Sequence, residues 1–252
     1  MKVSIITATF NSKSTIESCI QSVVKQTYQS IEYIIIDGNS SDTTLDIVKQ
    51  YQLNYPHVTF KIISEPDNGI YEALNKGIAK ATGAIIGFVH SDDVLASKTI
   101  LSEIAYAFQN KDMDGLFGDL QYVSQSNANQ VIRYWKSQSF QPKLLKEGWM
   151  PAHPTLFLKR EIYEKYGNFD TSYKIAADYD FMLRILKEET LKFTYMPQVI
   201  TNMRVGGMSN RSIKNIFQKT KEDYRAVTSN KVGGLLSVLR KNTSKIKQFI
   251  YK

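Results

Sequence analysis

Acidic side chains are the main candidates for chemistry in this sequence, and they follow its apolar runs. Asp37 ends one run, Asp92 and Asp93 end another, and Asp178 comes later in the chain. The turn after the first apolar run contains no glycine, and no G-x-x-x-x-G-K-[ST] motif occurs, so the common glycine-rich phosphate loops are missing. Carboxylates without such loops favour a ligand whose phosphates are neutralised by a divalent cation.

The sequence excludes several other catalytic arrangements. It contains neither a G-x-S-x-G nucleophile elbow nor an H-E-x-x-H metal-binding helix. Cys19 is the only cysteine, which rules out a disulfide within the chain and a cysteine-built metal site. Cys19 also lies on an apolar stripe at helical spacing, so we predict that its thiol is buried.

The elements that position the acidic residues alternate between strand and helix over the first hundred residues. Apolar strands separated by helices predict an α/β fold with a mostly parallel sheet, covered by helices on both faces. Ligands of such sheets bind beyond the carboxyl ends of the strands, so we expect the polar clusters to converge at that edge. A capping box of Ser14 and Glu17 predicts the start of the first helix. The predicted strands cover 3–7, 31–37, 58–64 and 84–89, and the predicted helices cover 16–24, 43–51 and 70–80.

The second half of the chain is less regular and contains no internal repeat. Its loops include a proline-flanked histidine, His153, and two adjacent glycines, Gly206 and Gly207, which suit a moving loop or a simple turn. The predicted helices cover 99–108, 160–166 and 178–187, and the predicted strands cover 116–122, 132–135, 155–158 and 191–195.

Positive charge is concentrated at the C-terminal end. The chain carries a net charge of +8, of which residues 211–252 contribute +9, so the remainder is close to neutral. A nucleic-acid-binding protein would more often spread basic residues over its folded domain, so we expect no nucleic-acid partner. No apolar run is long enough to span a bilayer, and the N-terminus does not resemble a secretory signal, so we expect a cytoplasmic protein.

The basic segment has an apolar stripe at helical spacing that includes Val232, Leu236 and Leu239. This pattern predicts an amphipathic helical tail, residues 211–252, that lies on a membrane surface. Two alternatives remain open: the tail packs back on the body, or it forms a coiled-coil homodimer.

Four segments of the sequence resemble the family 2 inverting glycosyltransferases with the GT-A fold. The segments are VSIITATFNS, IIIDGNSSDTT, SEPDNGIYEALNKGIAKATGAIIGFVHSDD and AADYDFMLR. The resemblance runs from about Val3 to Ser209 and is nearest to bacterial enzymes of O-antigen, capsule or exopolysaccharide synthesis. It implies a Rossmann-like sheet in which residues 1–95 bind a nucleotide-sugar and residues 96–210 bind the acceptor and carry out catalysis.

The resemblance implies a UDP-sugar donor and assigns residues to it. Asp37 would accept a hydrogen bond from the uracil, although an Asx turn is its structural alternative. Asn68 and Gly69 would bring backbone close to the nucleotide, or else form an ordinary turn. The remaining donor-binding positions that it implies are Thr7, Ala8 and Thr9 around the uracil, and His90, Ser91 and Asp92 after the fourth strand.

The resemblance also implies a metal site for Mn²⁺ or Mg²⁺ and a catalytic base. Asp92 and Asp93 would bind the metal, while His90 stands where the family usually has an aspartate; N-capping is the alternative for both aspartates. Asp178 matches the family's base, which deprotonates the acceptor hydroxyl. Asp180 is better explained as a surface ion pair with Arg184.

Together these assignments predict a metal-dependent inverting glycosyltransferase at the inner face of the cytoplasmic membrane. Its acceptor would be a saccharide, free or linked to polyprenyl diphosphate. His153, Gly206 and Gly207 would lie near the acceptor or form a lid over the diphosphate. The departures from the family pattern at His90 and Ala177 keep one alternative open, a catalytically inactive nucleotide-sugar-binding or scaffold protein.

Overall fold

A computed structural model describes residues 1–127, 130–206 and 213–247 of the chain. Within these ranges nine strands form one sheet in the order β3-β2-β1-β4-β8-β6-β9-β5, and β7 pairs with β6. The strands are β1 (Val3–Thr9), β2 (Ile31–Asp37), β3 (Thr59–Ser64), β4 (Ile85–Phe88), β5 (Val94–Leu95), β6 (Gly115–Val123), β7 (Val131–Trp135), β8 (Phe157–Lys159) and β9 (Phe193–Arg204). The helices are α1 (Ile16–Val24), α2 (Thr44–Asn54), α3 (Ile70–Lys80), α4 (Ile100–Asn110), α5 (Lys143–Lys146), α6 (Arg160–Tyr166), α7 (Ala177–Leu186), α8 (Ile213–Ser229) and α9 (Leu235–Lys247).

Strand β1 is the centre of the parallel part of the sheet. It pairs in parallel with β2 on one side and with β4 on the other, and β3 continues the parallel set beyond β2. The register aligns Thr9 with Asp37, and Asp37 with Ser64. The carboxyl ends of these strands therefore meet at one edge, as the sequence predicts.

Helices cover both faces of the sheet because side chains alternate along each buried strand. Ile6 of β1 packs in the apolar cluster that contains residues of α3, α6 and α7. The neighbouring Ile5 packs in the opposite cluster, which contains residues of α1, α2 and α4. The predicted α/β architecture, with its mostly parallel sheet, is confirmed.

The first helix begins differently from the prediction. Its N-cap residue is Thr15, which makes no side-chain capping hydrogen bond, so the capping box of Ser14 and Glu17 is wrong. Glu17 instead accepts a hydrogen bond from the Tyr51 hydroxyl of α2 at 3.0 Å. The carboxylate that would have capped α1 thus joins two helices.

Strand β9 is much longer than the predicted strand over 191–195. It extends from Phe193 to Arg204, and its pairing with β6 shifts register on either side of Asp119. The shift lies where the strand passes Pro197, which has no backbone N–H to donate. A sequence pattern with proline in the middle does not predict one continuous strand.

The C-terminal helices α8 and α9 pack against the body. Ala226, Val227 and Val238 belong to the same apolar cluster as α7. Lys241 is only 3% exposed, and its ammonium lies 2.6 Å from the Asp223 carboxylate. In the described residues the C-terminal tail therefore packs on the body, which is one of the two alternatives left open by the sequence. Residues 248–252 lie outside the described residues. None of the described helices is long and apolar enough to cross a bilayer.

At the amino-terminal edge of the parallel strands, Glu32 is a fully paired buried carboxylate. It accepts hydrogen bonds from Ser4 Oγ at 2.6 Å and from Thr82 N at 2.8 Å, and Lys61 Nζ lies 2.7 Å away. Burial raises the pKa of Glu32, but these partners outweigh burial and lower it to about 2. The carboxylate is therefore held ionised where β1, β2 and β3 begin.

We expect Glu32→Gln to reduce the free energy of unfolding at pH 7 by up to about 3 kcal/mol, the value of the pKa shift. Because the folded-state pKa of Glu32 lies below the unfolded one, this stabilisation is present above about pH 4.5 and disappears as the pH falls towards 2. Urea unfolding measured across that pH range should show the two proteins converging in acid. Glu189→Gln, on the surface, should change stability little at any pH.

Candidate active site

The candidate site lies at the carboxyl edge of β1, β2 and β4. The loop after β1 and the loop after β4 are joined there by a hydrogen bond between Ser12 Oγ and Ser91 Oγ, 3.1 Å apart. The next strand contributes Asp37, which is aligned with Thr9. The predicted donor-side residues of these three strands thus lie together.

The end of β1 consists of buried positions that differ in whether their hydroxyl groups are hydrogen-bonded. Thr7 is fully buried, and its hydroxyl donates to the Val89 carbonyl at 2.6 Å. The Thr7 hydroxyl is therefore used inside the sheet, and contact of this residue with a base stays a prediction. Ala8 is also buried, and so is Thr9. The buried Thr9 Oγ1 has no hydrogen-bond partner among the described residues, so it is a polar group left unsatisfied at the end of this strand.

Asp37 forms the Asx-type turn that the sequence left open as an alternative. Its Oδ2 accepts hydrogen bonds from Ser40 N at 3.0 Å and Ser64 Oγ at 2.7 Å, and its Oδ1 accepts one from Ser40 Oγ at 2.5 Å. The carboxylate is fully buried in this arrangement. Its contact with a base stays a prediction, for which one lone pair of Oδ1 is available.

Phe10 is a site residue that the sequence analysis missed. Its ring is 61% exposed although it follows a buried strand. A Cβ at Gly38 would lie 3.4 Å from this ring and only 2.8 Å from Asp67 Oδ2. The absence of a side chain at Gly38 therefore lets the Asp67 carboxylate and the Phe10 ring approach the backbone closely. An exposed aromatic residue at a strand end was the available signal.

Gly69 is required by its backbone conformation. Its φ of +133° lies in the region that only glycine adopts readily. Asp67 Oδ1 accepts a hydrogen bond from its amide at 3.0 Å, and Asn68 Nδ2 donates to Glu72 at 2.8 Å. Asn68 and Gly69 thus form a tight turn directly before α3, and their contact with a nucleotide stays a prediction.

The loop after β4 contains an unpaired buried charge. Asp93 is 1% exposed, and neither of its carboxylate oxygens has a hydrogen-bond partner among the described residues. Burial and the nearby Asp92 raise the pKa of Asp93 well above its usual range, and the charge of Arg204 offsets this only partly. The Arg204 guanidinium donates to the Asp92 carbonyl at 2.6 Å and so fixes the loop. Asp92 itself is half-buried.

His90 lies between the acidic loop and α7. Burial lowers the pKa of its imidazole, while the charges of Asp92 and Asp178 act in the opposite direction. Its Nδ1 has no hydrogen-bond partner in the described ranges. The ring centroid of His153 is 5.8 Å away, and burial lowers the pKa of His153 to about 4. His153 is therefore a neutral residue of the wall beside the site, stacked on Phe88.

Asp178 stands in the first turn of α7 and is held from α3. The Tyr71 hydroxyl lies 3.1 Å from Asp178 Oδ1 and 2.6 Å from the Ile175 carbonyl. Tyr71 was missed by the sequence analysis, because its position four residues after Asp67 gives no sign of a contact more than one hundred residues away. Asp178 is half-buried and so can accept a proton from a bound ligand.

The neighbouring Asp180 is not at the surface. Its pair with Arg184, at 2.6 Å, is largely buried, which corrects the predicted surface ion pair. Asn230 of α8 also donates to Asp180 Oδ1 at 2.9 Å. Asp180 therefore anchors α7 to α8. Gly206 has a φ of +107°, as a turn glycine does, whereas Gly207 lies outside the described residues.

Comparison with known proteins identifies the family. The model of glycosyl transferase family 2 matches residues 4–167, more than half of the chain. The chain belongs to glycosyl transferase family 2. Its relatives named as glycosyltransferases agree with this membership, so the protein is a glycosyltransferase with the GT-A fold.

The relatives cover most of the chain. A PGL/p-HBAD biosynthesis glycosyltransferase of Mycobacterium tuberculosis is 29% identical over 220 residues, which span 86% of this chain and 82% of the relative. An uncharacterized glycosyltransferase of Methanocaldococcus jannaschii is 25% identical over 214 residues, 82% of this chain and 72% of the relative.

Solved structures share the fold. Residues 1–349 of Staphylococcus aureus TarS, in complex with UDP-GlcNAc, match with a TM-score of 0.70 and 17% identity, over 100% of this chain and 74% of that one. The chain spans 43% of the longer TarS chain. The mannosyltransferase PcManGT of Pyrobaculum calidifontis, in complex with GDP-Man and Mn²⁺, matches with a TM-score of 0.63 and 16% identity, over 100% and 81% of the two chains.

The acidic loop suits the divalent metal that this fold commonly uses. No cluster of three or more histidine, cysteine or acidic side chains that would hold a metal occurs among the described residues. Mg²⁺, however, is usually bound by one or two carboxylates together with substrate phosphates and waters. The unpartnered oxygens of Asp93, next to Asp92, provide that kind of donor set.

Because its buried charge is unpaired, Asp93 should destabilise the protein when no ligand is bound. We expect Asp93→Asn to raise the free energy of unfolding at pH 7 by about 1–3 kcal/mol. The folded-state pKa of Asp93 is raised, so the gain should shrink as the pH approaches 4, where the carboxyl becomes protonated in both states. Urea unfolding of metal-free protein measures this. Asp46→Asn, on the exposed side of α2, is the matched control, and an equal or lower stability of Asp93→Asn would contradict the assignment.

Proposed function

We propose that the protein transfers a sugar from a UDP-sugar to a saccharide acceptor, with inversion at the anomeric carbon and Asp178 as the base. The observation that carries this proposal is the position of His90, whose imidazole lies in the field of both Asp92 and Asp178. A carboxylate of the acidic loop and a carboxylate of α7 are thus both near enough to act on the same imidazole. UDP-GlcNAc bound to TarS, a protein of the same fold, supports a nucleotide-sugar donor.

In the proposed reaction, Asp178 accepts the proton of the acceptor hydroxyl as its oxygen attacks the anomeric carbon. The bond from that carbon to the diphosphate oxygen breaks on the opposite face, and UDP leaves with the electron pair, which inverts the configuration. The Tyr71 hydroxyl bond keeps the Asp178 carboxylate oriented. The neutral His90 adds no competing positive charge between donor and base.

For the donor, we propose that Thr9, Phe10 and Asp37 contact the uracil. Thr9 offers an unpaired hydroxyl and Phe10 an exposed ring on which a base can stack. Asn68 and Gly69 would lie against the nucleotide, with His90 and Ser91 near the ribose or diphosphate.

For the metal, we propose Mn²⁺ or Mg²⁺ held by Asp92 and Asp93. When bound, the cation supplies Lewis-acid stabilisation of the charge on the leaving diphosphate. Asp93→Asn offers a readout besides activity, because it should remove the Mn²⁺-dependent increase in UDP affinity measured by calorimetry. Metal-independent UDP binding by Asp93→Asn should match that of the unchanged protein.

Asp178→Asn should lower the turnover number by about 10²–10⁴-fold, the usual contribution of a general base. Its affinity for UDP with Mn²⁺ should stay unchanged, because the asparagine keeps the shape of the side chain and the donor residues are on other elements. Release of UDP in the presence of acceptor, together with calorimetry, measures both quantities. Asp46→Asn, also in the first turn of a helix, is the control.

The outcomes of this experiment separate the enzyme from its alternative. Loss of transfer with intact donor binding supports Asp178 as the base. Full transfer by Asp178→Asn would assign the base elsewhere. Binding of UDP without any transfer by the unchanged protein, over a series of UDP-sugars and acceptors, would favour an inactive nucleotide-sugar-binding protein.

We further propose that α8 and α9 bind the enzyme to an anionic membrane surface, where it meets a polyprenyl-diphosphate-linked acceptor in bacterial surface polysaccharide synthesis. Large apolar side chains are exposed on both helices: Phe217 is 74% and Leu236 69% exposed. The segment 211–252 contains two acidic residues, Glu222 and Asp223, and both are buried against the body. The outward charge of this segment is therefore positive, which suits an anionic lipid surface.

The double variant Leu236→Ser/Leu239→Ser should lose most of its binding to vesicles of phosphatidylglycerol, because it removes neighbouring exposed side chains of α9. Co-sedimentation at low and high salt should show binding that weakens with salt, and little binding to phosphatidylcholine alone. Leu53→Ser, at an equally exposed leucine of α2, should bind like the unchanged protein. Unchanged binding by the double variant would contradict the proposal, and a change from dimer to monomer would assign this face to a homodimer.

A further inference from the structure

The segment directly before α7 is held by a single carboxylate from the C-terminal part of the chain. Glu222 of α8 accepts hydrogen bonds from three consecutive amides: Lys174 N at 3.0 Å, Ile175 N at 2.8 Å and Ala176 N at 2.9 Å. Glu222 is only 4% exposed. Its remaining hydrogen bond comes from Gln218 Nε2 at 2.7 Å, so the carboxylate is fully engaged.

One of these bonds, from Ala176 N, satisfies an amide at the start of α7 that no local side chain caps. The N-cap residue of α7 is Ala176, which makes no side-chain hydrogen bond, and Ala177 follows it. Alanine side chains cannot satisfy the amides at a helix start, and a carboxylate near that end also interacts favourably with the helix dipole. Glu222 therefore fixes the point at which α7 begins, and Asp178 is the second residue of that helix.

The same peptide segment reaches Asp178 by a second route. The Ile175 amide is bound by Glu222, and the Ile175 carbonyl accepts a hydrogen bond from the Tyr71 hydroxyl at 2.6 Å. That hydroxyl is also 3.1 Å from Asp178 Oδ1. A phenol has one proton, so the Ile175 carbonyl and the Asp178 carboxylate share it. The position of the carbonyl therefore decides how strong the hydrogen bond to Asp178 is.

We propose that Glu222 and Tyr71 are positioning residues for the base, and that α8 thereby sets the geometry of the acceptor side of the site. This inference rests on the proposed role of Asp178. Glu222 acts through the peptide of Ile175, and Tyr71 acts through its hydroxyl. Neither residue is expected to contact the donor, because their hydrogen bonds are made to the segment before α7 and to Asp178.

The charged and titratable groups around Asp178 come from several elements. His90 follows β4, His153 lies in the loop before β8, Tyr71 is on α3 and Lys241 on α9, and each of them feels the charge of Asp178. The Tyr71 hydroxyl is the one that the structure shows hydrogen-bonded to the Asp178 carboxylate.

Tyr71→Phe should lower the turnover number by about 10-fold, and Glu222→Ala by about 10²-fold, the scale of a small misplacement of a reacting group. Both variants should keep the KM for the UDP-sugar. In Tyr71→Phe the turnover number should fall while the KM for the UDP-sugar and the free energy of unfolding stay unchanged, a combination that a purely structural residue would not produce. Initial rates of UDP release over a range of UDP-sugar concentrations, together with urea unfolding, measure these quantities.

Asn230→Ala is the matched control for Glu222→Ala. Asn230 is a buried residue at the same α7–α8 contact and donates to Asp180 at 2.9 Å, without touching the segment before α7. We expect it to reduce stability and to keep the turnover number at a temperature where the variant is folded. An equal loss of turnover in Asn230→Ala and Glu222→Ala would show that Glu222 acts through stability alone and would overturn its positioning role.

Failure of this inference can be told apart from failure of the proposed function. If Asp178→Asn abolishes transfer while Tyr71→Phe and Glu222→Ala keep normal turnover numbers, Asp178 is the base and the positioning role is wrong. If Asp178→Asn transfers normally, the base assignment itself is wrong. If Glu222→Ala does not fold, Tyr71→Phe still decides whether the hydroxyl bond tunes Asp178.

Discussion

The parallel pairing of β1 with β2 and β4 is the constraint on which the rest of the structure depends. Parallel strands end at the same edge, so strand pairing alone brings together the polar residues that follow them. Helices must then cover both faces, since every residue of β1 and β2 is buried. The antiparallel strand β8 joins this parallel set to β6 and β9, and thereby brings the second half of the chain beside the same edge.

The buried carboxylates at the two edges of the sheet have opposite environments. Glu32, at the amino-terminal edge, is surrounded by donors and held ionised, which favours the folded state. Asp93, at the carboxyl edge, has no such partners among the described residues, and its pKa is raised. A buried charge without partners is unfavourable for folding and is retained where a ligand completes its environment. The sheet is thus stabilised at one edge and prepared for binding at the other.

Much of the fold was predictable from the sequence, because it depends on local apolar periodicity. The strand over 31–37 and the helices over 70–80 and 160–166 have the predicted bounds, and Cys19 is buried as predicted. The predicted capping box at Ser14 is wrong because Glu17 has a partner on another helix. The predicted length of β9 is too short because proline interrupts its apolar pattern. Local patterns cannot report contacts of that kind.

In the candidate site, too, the features that follow from local sequence patterns were predictable, and those that depend on long-range contacts were not. Strand-end residues such as Asp92 and Thr9 were found because their position follows from the order of strands. The buried use of the Thr7 hydroxyl, the exposed ring of Phe10 and the contact from Tyr71 to Asp178 depend on side-chain directions in the folded chain. In the sequence, Glu222 is one acidic residue within a basic tail. Only the packing of α8 shows that it binds the three amides before α7.

A ribosome making this chain completes β1, β2 and β4 well before it reaches α8. The strands that collect the donor-side residues can therefore pair while the C-terminal helices are still being synthesised. The three amides before α7 have no side-chain partner until Glu222 is available. A nascent chain would thus complete the carboxyl edge of β1, β2 and β4 before the start of α7 acquires the carboxylate that holds it.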